Sequence, residues 1–430
     1  MVVSRKRTYE LLLIVSVGFE PIKLFIDKLF FFMPGNLIDV FFYTIYLGLL
    51  LCHFKDIFPL LSIRKYILLG FWFAYCLFMV LSFGADRMVY LETYIKAMPR
   101  CFFFFVTGFS FCYHFDKVEQ IFEKLPIVLL AFQALNFILY GVRGEMVATS
   151  GYVKEITYSM ELGHACIFPV SLAVVMFFFH DRRKIVYLLT SILGMILIIG
   201  AGSRSPVVCV MAVILICITI KKAKKVLYVL ISVAVLGFLA FVFQKEAVLS
   251  LMEAIFGRIG LSTRIIDALS SMDIFSFSNR DSILGIALSG IKEHPFLGLG
   301  VFRDRLYLFE NWETYLKNYH IHSISYYPHN IFVELFMQFG VFMGGILILF
   351  LVKWIKNSFQ YARKSGQLIL YLPLLSTGFL IFLFSKSYVM TPAFYLFLGY
   401  AISLSEKAGS FQMWKGLKLR YGTKEKTKSV

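Results

Sequence analysis

Charge is scarce in this chain. Of 430 residues only 16% are Asp, Glu, Lys or Arg, whereas 59% are hydrophobic, and the mean hydropathy is +0.77. A soluble domain carries charge on about a quarter of its residues, so a water-facing surface is excluded and acyl chains must solvate most of the exterior. Nucleotide and metal signatures are also missing. There is no Gly-rich phosphate loop, no dinucleotide fingerprint, no His-Glu-x-x-His, and no Asp-x-Asp pair to hold a metal against a nucleotide sugar. A nucleotide-driven or metal-dependent mechanism therefore has no support, and no cofactor is expected. The seven cysteines fall within or at the ends of apolar segments without ligand spacing, which argues against a zinc site and a disulfide framework.

Acid is the scarcer charge, 26 residues against 43 Lys and Arg, for a net +17. The basic residues come in short runs between apolar stretches and not along one phosphate-tracking face, so nucleic acid is not an expected partner. No small-residue cleavage site follows Arg5-Lys6-Arg7, and the first apolar run is expected to remain as an anchor.

What is present is a succession of apolar stretches long enough, at roughly 17–25 residues, to cross a bilayer. They lie near 11–32, 37–54, 66–84, 97–115, 124–141, 161–180, 184–201, 206–220, 225–244, 329–352, 367–385 and 388–404. The expected fold is all-α, a polytopic membrane protein of about twelve helices. The first stretch carries Glu20, Lys23, Asp27 and Lys28, with Lys23 and Asp27 spaced to pair at i,i+4. Basic clusters at 55–65, 117–124, 182–184, 221–225, 353–364 and 407–428 all fall on one side if the N-terminus is cytoplasmic, as the positive-inside rule requires. Both termini are then cytoplasmic. The chain divides into a nine-helix region at 1–244, a large outer loop at 245–328 carrying short helices, a three-helix region at 329–404 and a basic tail at 405–430. Chemistry is expected at the outer face.

Four places there carry ionisable residues at span ends, where such groups are costly to keep. Gly202-Ser203-Arg204-Ser205-Pro206 is a tight turn whose arginine either meets an anion or snorkels to lipid phosphates. Asn279-Arg280-Asp281-Ser282 precedes a helical stretch ending in Lys292-Glu293-His294-Pro295-Phe296-Leu297-Gly298-Leu299-Gly300; Arg280 either forks onto a diphosphate or pairs with a loop acid, and Arg303 and Arg305, flanking Asp304, share that ambiguity. His329-Asn330 opens the next span, where a helix N-terminus attracts phosphate and an imidazole accepts a proton near neutral pH, or where Asn330 simply caps the helix. Glu161, with His164, either orients a sugar or pairs with an arginine. Glu334, on another helix face from His329, reads as a structural partner.

In order and spacing, Gly-Ser-Arg at 202–204, Asn279-Arg280 with the 292–300 motif, and His329-Asn330 followed by Gly340 resemble the bacterial O-antigen polymerase and O-antigen ligase superfamily. The likeness covers about 140 residues, from Arg204 to Gly344. One departure shows: the second small residue expected three positions after Gly340 is replaced by Met343, with Gly344 one later. The resemblance implies a glycosyltransferase of the bacterial cytoplasmic membrane that takes glycan from undecaprenyl diphosphate on the outer face. Arg204 and Arg280 would neutralise the leaving diphosphate and His329 would be the base, with Asn330, Arg303, Arg305 and Glu161 binding substrate. Membrane lipids and a chain-length regulator are the other implied partners. Polymerisation of repeat units is the expected reaction, transfer of finished polymer to lipid A-core the alternative. A glycolipid flippase or transporter is the reading of another class, which the clustering of ionisable residues at the outer mouth, away from the bilayer midplane, disfavours.

Overall fold

The computed structural model describes residues 5–30, 35–83, 87–142, 144–147, 153–156, 159–264, 266, 270, 280–312, 324 and 326–425. Every apolar stretch read from the sequence coincides with a helix: α1 (Arg5–Leu29), α2 (Gly35–Cys52) with the short α3 (Phe54–Ile57), α4 (Ile63–Leu81), α5 (Arg87–Phe111) with α6 (Phe115–Val118), α7 (Leu125–Tyr140), α8 (Met160–Phe179), α9 (Lys184–Gly200), α10 (Arg204–Lys221) and α11 (Lys224–Phe243). In the loop lie α12 (Lys245–Ile259), α13 (Arg280–Glu293) and α14 (Arg303–Asn311), and after it α15 (Ile331–Lys364), α16 (Leu368–Gly378) and α17 (Pro392–Glu425). Among the described residues five of these helices are long and apolar enough to cross a membrane, or seven if each bent pair is one span. The stretches at Leu125–Tyr140, Lys184–Gly200 and Leu368–Leu383 are apolar but shorter. All twelve stretches are thus helical, but length and apolarity mark only five to seven of these helices as spans, so the expected count of about twelve spans is not established.

One element departs from the all-α expectation. Gly144–Val147 and Val153–Ile156 pair as an antiparallel ribbon between α7 and α8, with Gly144 opposite Ile156. The segment is too short and too polar to register as a strand beside such strong helical stretches.

Close helix contact organises the bundle. A Cβ on Gly108 of α5 would stand 2.0 Å from the Leu396 carbonyl of α17, and one on Gly399 of α17 would stand 2.1 Å from the Phe105 carbonyl, so the two backbones touch through a reciprocal pair of glycines. Prolines sit inside α1, α5, α8 and α16, where neighbouring helices surround the backbone groups they release. The Lys23–Asp27 pair forms at 3.5 Å, but Lys23 lies closer to Asp39 of α2, at 2.8 Å.

Candidate active site

The two glycine-bearing motifs that are far apart in sequence are one structure. The long helix α15 breaks at Gly340, whose φ of 72° lies in the left-handed region. A break strands backbone groups that cost roughly 1–3 kcal/mol each if buried without partners. The segment from Pro295 to Gly300 supplies the partners. Leu299 and Gly300 donate their N–H groups to the Met337 and Gln338 carbonyls at 2.7 and 2.9 Å, and Val341 donates to the Pro295 carbonyl at 2.7 Å. The crossing is so close that a Cβ on Gly298 would lie 2.5 Å from the Gln338 carbonyl carbon, and one on Gly340 would lie 2.4 Å from the Phe296 oxygen. Only glycine fits at either place. Gly344 completes the bend, its Cβ position 2.9 Å from the Leu335 oxygen, so the small residue displaced by one from the family pattern still seats one half of α15 on the other.

Beyond the crossing the chain enters α14, and its two arginines part company. Arg303 is exposed and donates from Nη2 to Ser82 Oγ at 3.2 Å. Arg305 is buried, 2% exposed; it donates to the Ile324 carbonyl and, at 2.7 Å, to Ser387 Oγ. Asp304, fully buried, accepts from Gln338 Nε2 at 3.1 Å, and burial raises its carboxyl to about 6 against the opposing pull of Arg305. Glu334 of α15 accepts from Ser387 and from Gln338, the latter at 3.4 Å, and Gln338 Oε1 takes the Tyr388 hydroxyl at 2.6 Å. Glu334 is thus the structural partner its helix face implied. The outcome is a closed polar cluster joining α14, α15 and the turn at 384–391.

His329 stands at the mouth of α15 with a left-handed φ of 58°, half-buried, its ring 4.3 Å from that of Tyr327. Asn330 caps the helix: Oδ1 accepts from the N–H groups of Phe332 and Val333 at 2.9 and 3.2 Å, and Nδ2 donates to the Leu383 carbonyl at 3.2 Å. Of the two readings of this helix end, the cap is formed, with Asn330 taking the N–H groups of Phe332 and Val333.

Arg204 opens α10 after a turn at Gly202, whose φ is 72°. That turn is pressed between neighbours, with Ser203 Cβ 2.8 Å from where a Cβ on Gly163 of α8 would sit, Ser159 donating to Ala201 at 3.0 Å and Ser262 donating to Gly200 at 2.8 Å. Its helix α10 packs on the turn Leu380–Leu383, and the Leu383 carbonyl of that turn accepts from Asn330. Arg280 opens α13, which packs against α14 and α15; its side chain lies outside the described residues. Asn279 is outside them too. Glu161 is exposed in the first turn of α8, and its electrostatic partner is Lys28 of α1, not the arginine expected from its position.

The sequence reading passed over the turn at 384–391. Lys386 pairs with Glu20, Ser387 bonds both Arg305 and Glu334, and Tyr388 bonds Gln338. A signal was available: Lys386 is a lone cation between two apolar stretches on the side that the charge bias leaves poor in lysine. Its φ of 60° is a further mark, since a non-glycine residue held there costs about 1–2 kcal/mol.

Fold and site together define a helical membrane protein with a buried polar cluster where the loop meets the bundle. Residues 189–350 match the model of a family described as O-antigen ligase, which bears out the resemblance to the O-antigen polymerase and ligase superfamily. The matched stretch runs from α9 into α15 and takes in Arg204, Arg280, Arg303, Arg305, His329 and Asn330, while Glu161 lies before it. No curated protein matches the chain.

Proposed function

We propose that the protein is a metal-independent glycosyltransferase of the bacterial cytoplasmic membrane, which polymerises undecaprenyl-diphosphate-linked repeat units at the outer face. The observation that supports this reading is the docking of Pro295–Gly300 onto the broken helix, which holds the segment leading to Arg305 against the helix whose mouth bears His329. In the transfer an acceptor sugar hydroxyl attacks the anomeric carbon, the bond from that carbon to the diphosphate oxygen breaks, and the bonding pair leaves with the lipid diphosphate. The hydroxyl proton passes to the His329 imidazole, a side chain able to act as a general base near neutral pH.

Negative charge grows on the diphosphate as the bond breaks, so guanidinium groups fixed beforehand stabilise the transition state more than the ground state. Arg204 and Arg280 take that role. Arg305 instead holds Ser387 and the 384–391 turn, and Asn330 fixes the pose of His329. The donor carries its own activation, and neither nucleotide nor metal is required.

The reading is tested by incubating purified protein with a lipid-linked repeat unit, with and without a chelator, and resolving the products on a gel. A ladder that persists in chelator is the expected result. Arg204→Ala and Arg280→Ala, at normal abundance, should lower the rate by about 10²–10³. Full-length glycan from either variant removes that arginine from the mechanism, and labelling of His329 from the cytoplasmic side removes the mechanism altogether. The description of the matching family favours a second reading, transfer of finished polymer to lipid A-core. A deletion strain separates the two: single-repeat lipopolysaccharide marks a polymerase, polymer retained on its lipid carrier a ligase.

A further inference from the structure

Helices α1, α2, α5, α8, α16 and α17 line a half-open cavity of about 340 Å³. That size falls at the lower end of the roughly 300–1,000 Å³ typical of ligand sites. Its lining is divided. Phe104, Phe168 and Leu396 give it an apolar, aromatic side, whereas Glu20, Lys96 and Arg100 bring charge, and Ser16, Thr93 and Thr377 bring hydroxyls.

The state of the three charges decides what the cavity attracts. Glu20 is engaged, since both of its oxygens accept from Lys386 Nζ, at 2.9 and 3.0 Å. Lys96 lies 2.5 Å from Glu92, but these side chains are 51% and 67% exposed, and exposed pairs contribute little. Arg100 is the cation with capacity to spare. Its guanidinium lies 3.8 Å over the Tyr43 ring, and its approach to Asp39 is a long 3.8 Å because Asp39 takes Lys23 at 2.8 Å. Stacking on a ring face orients the planar guanidinium and leaves donors at its edge, in the fork that matches a carboxylate or phosphate.

A cation above an aromatic and aliphatic wall, with hydroxyls between, is the complement of a sugar ring with CH faces, hydroxyl edges and one acid group. We propose that this cavity binds a carbohydrate carrying a carboxylate or phosphate, with the acid on Arg100 and Lys96 and the ring against Phe104 and Phe168. Met390 lines the cavity and Lys386 pairs with Glu20 on its wall, so the bound sugar shares the 384–391 turn with the mouth of α15. Together with the transfer reading, on which binding itself does not depend, this makes the glycan handled by the protein an acidic one.

The test is direct binding to the full-length protein in phosphatidylcholine nanodiscs, without any transfer reaction, so that it stands or falls separately from the role of His329. Glucuronate and glucose 1-phosphate should bind at least about tenfold more tightly than glucose, a difference of about 1.4 kcal/mol. Arg100→Gln should abolish that difference, and Ala97→Leu, which fills the space from α5, should weaken all three. Equal binding of glucose overturns the proposal. So does inorganic phosphate binding as tightly as glucose 1-phosphate, which marks an anion site only, or loss of sugar binding in phosphatidylglycerol nanodiscs, which marks a lipid headgroup site. Should Arg100→Gln fail to fold, Lys96→Gln on the exposed rim decides: a several-fold loss confined to the charged sugars supports the assignment, and an unchanged affinity rejects it.

Discussion

Two contacts hold this molecule together by opposite means. Where α5 meets α17, glycines lie directly against carbonyls; where α14 meets α15, a helix is broken open and carboxylates, an arginine and an amide fill the gap. The first contact gains its stability from dispersion at close range, which is indifferent to sequence chemistry so long as nothing is added. The second is specified by partners, because each buried polar group is costly unless its neighbour is in place. A scaffold is best built the first way. A surface that must present His329 and Asn330 in one pose is better built the second way, since a wrong register leaves charges unpaired.

The comparison breaks most abruptly at the seam. Gly108→Val would place methyl groups where the Leu396 carbonyl already sits, and neither backbone can yield. The expected result is loss of folded protein from the membrane fraction, measured by fluorescence-detected size exclusion; a monodisperse variant would show that the helices can part. At the junction, Arg305→Ala should cost about 1–3 kcal/mol, because it takes the donor from Ser387 and the Ile324 carbonyl and removes the positive charge beside buried Asp304. Thermal unfolding in detergent measures that loss, and a melting temperature within a degree or two of wild type would mean that Asp304 and Glu334 are satisfied without Arg305.

How far this contrast was legible in the sequence follows from its physics. Apolar runs of sufficient length announce helices, so the helix positions were readable, and Asn330 ahead of an apolar run is a cap signal that the structure bears out. The family motifs gave the order of Arg204, the 292–300 segment and His329. Gly340 could not be read as a break, because a glycine inside an apolar helix looks the same whether it admits a neighbouring helix or stops the helix altogether. Arg303 and Arg305 are two residues apart on a helix, hence about 200° apart around its axis, so one had to face inward and one outward. Which one faced inward depended on Gln338 and Ser387, from α15 and the 384–391 turn, and no local pattern contains that.

A milder change sharpens the junction side of the comparison. Burial raises the Asp304 carboxyl above its usual 3.8, so the folded state holds that proton more tightly than the unfolded chain does. Stability contributed by the protonated acid is therefore fully present below about 4 and is lost as pH rises from there through the raised folded value. Asp304→Asn keeps an oxygen for Gln338 and removes the titration. Its unfolding temperature should not show the wild-type decline across that window, and parallel curves for the two proteins would show that another group is responsible.

The smallest expected effect belongs to the arginine that looks most like its buried neighbour. Arg303 contributes one exposed hydrogen bond to Ser82, an interaction that water replaces at little cost, so Arg303→Ala should change stability by less than about 1 kcal/mol. If Arg303 also reaches the substrate, the variant would lose turnover at unchanged stability; if it only holds α14 to the end of α4, both quantities should stay close to wild type. Measuring the two together on one preparation separates these roles. A loss of stability as large as that of Arg305→Ala would contradict the division between inward and outward arginines from which both predictions come.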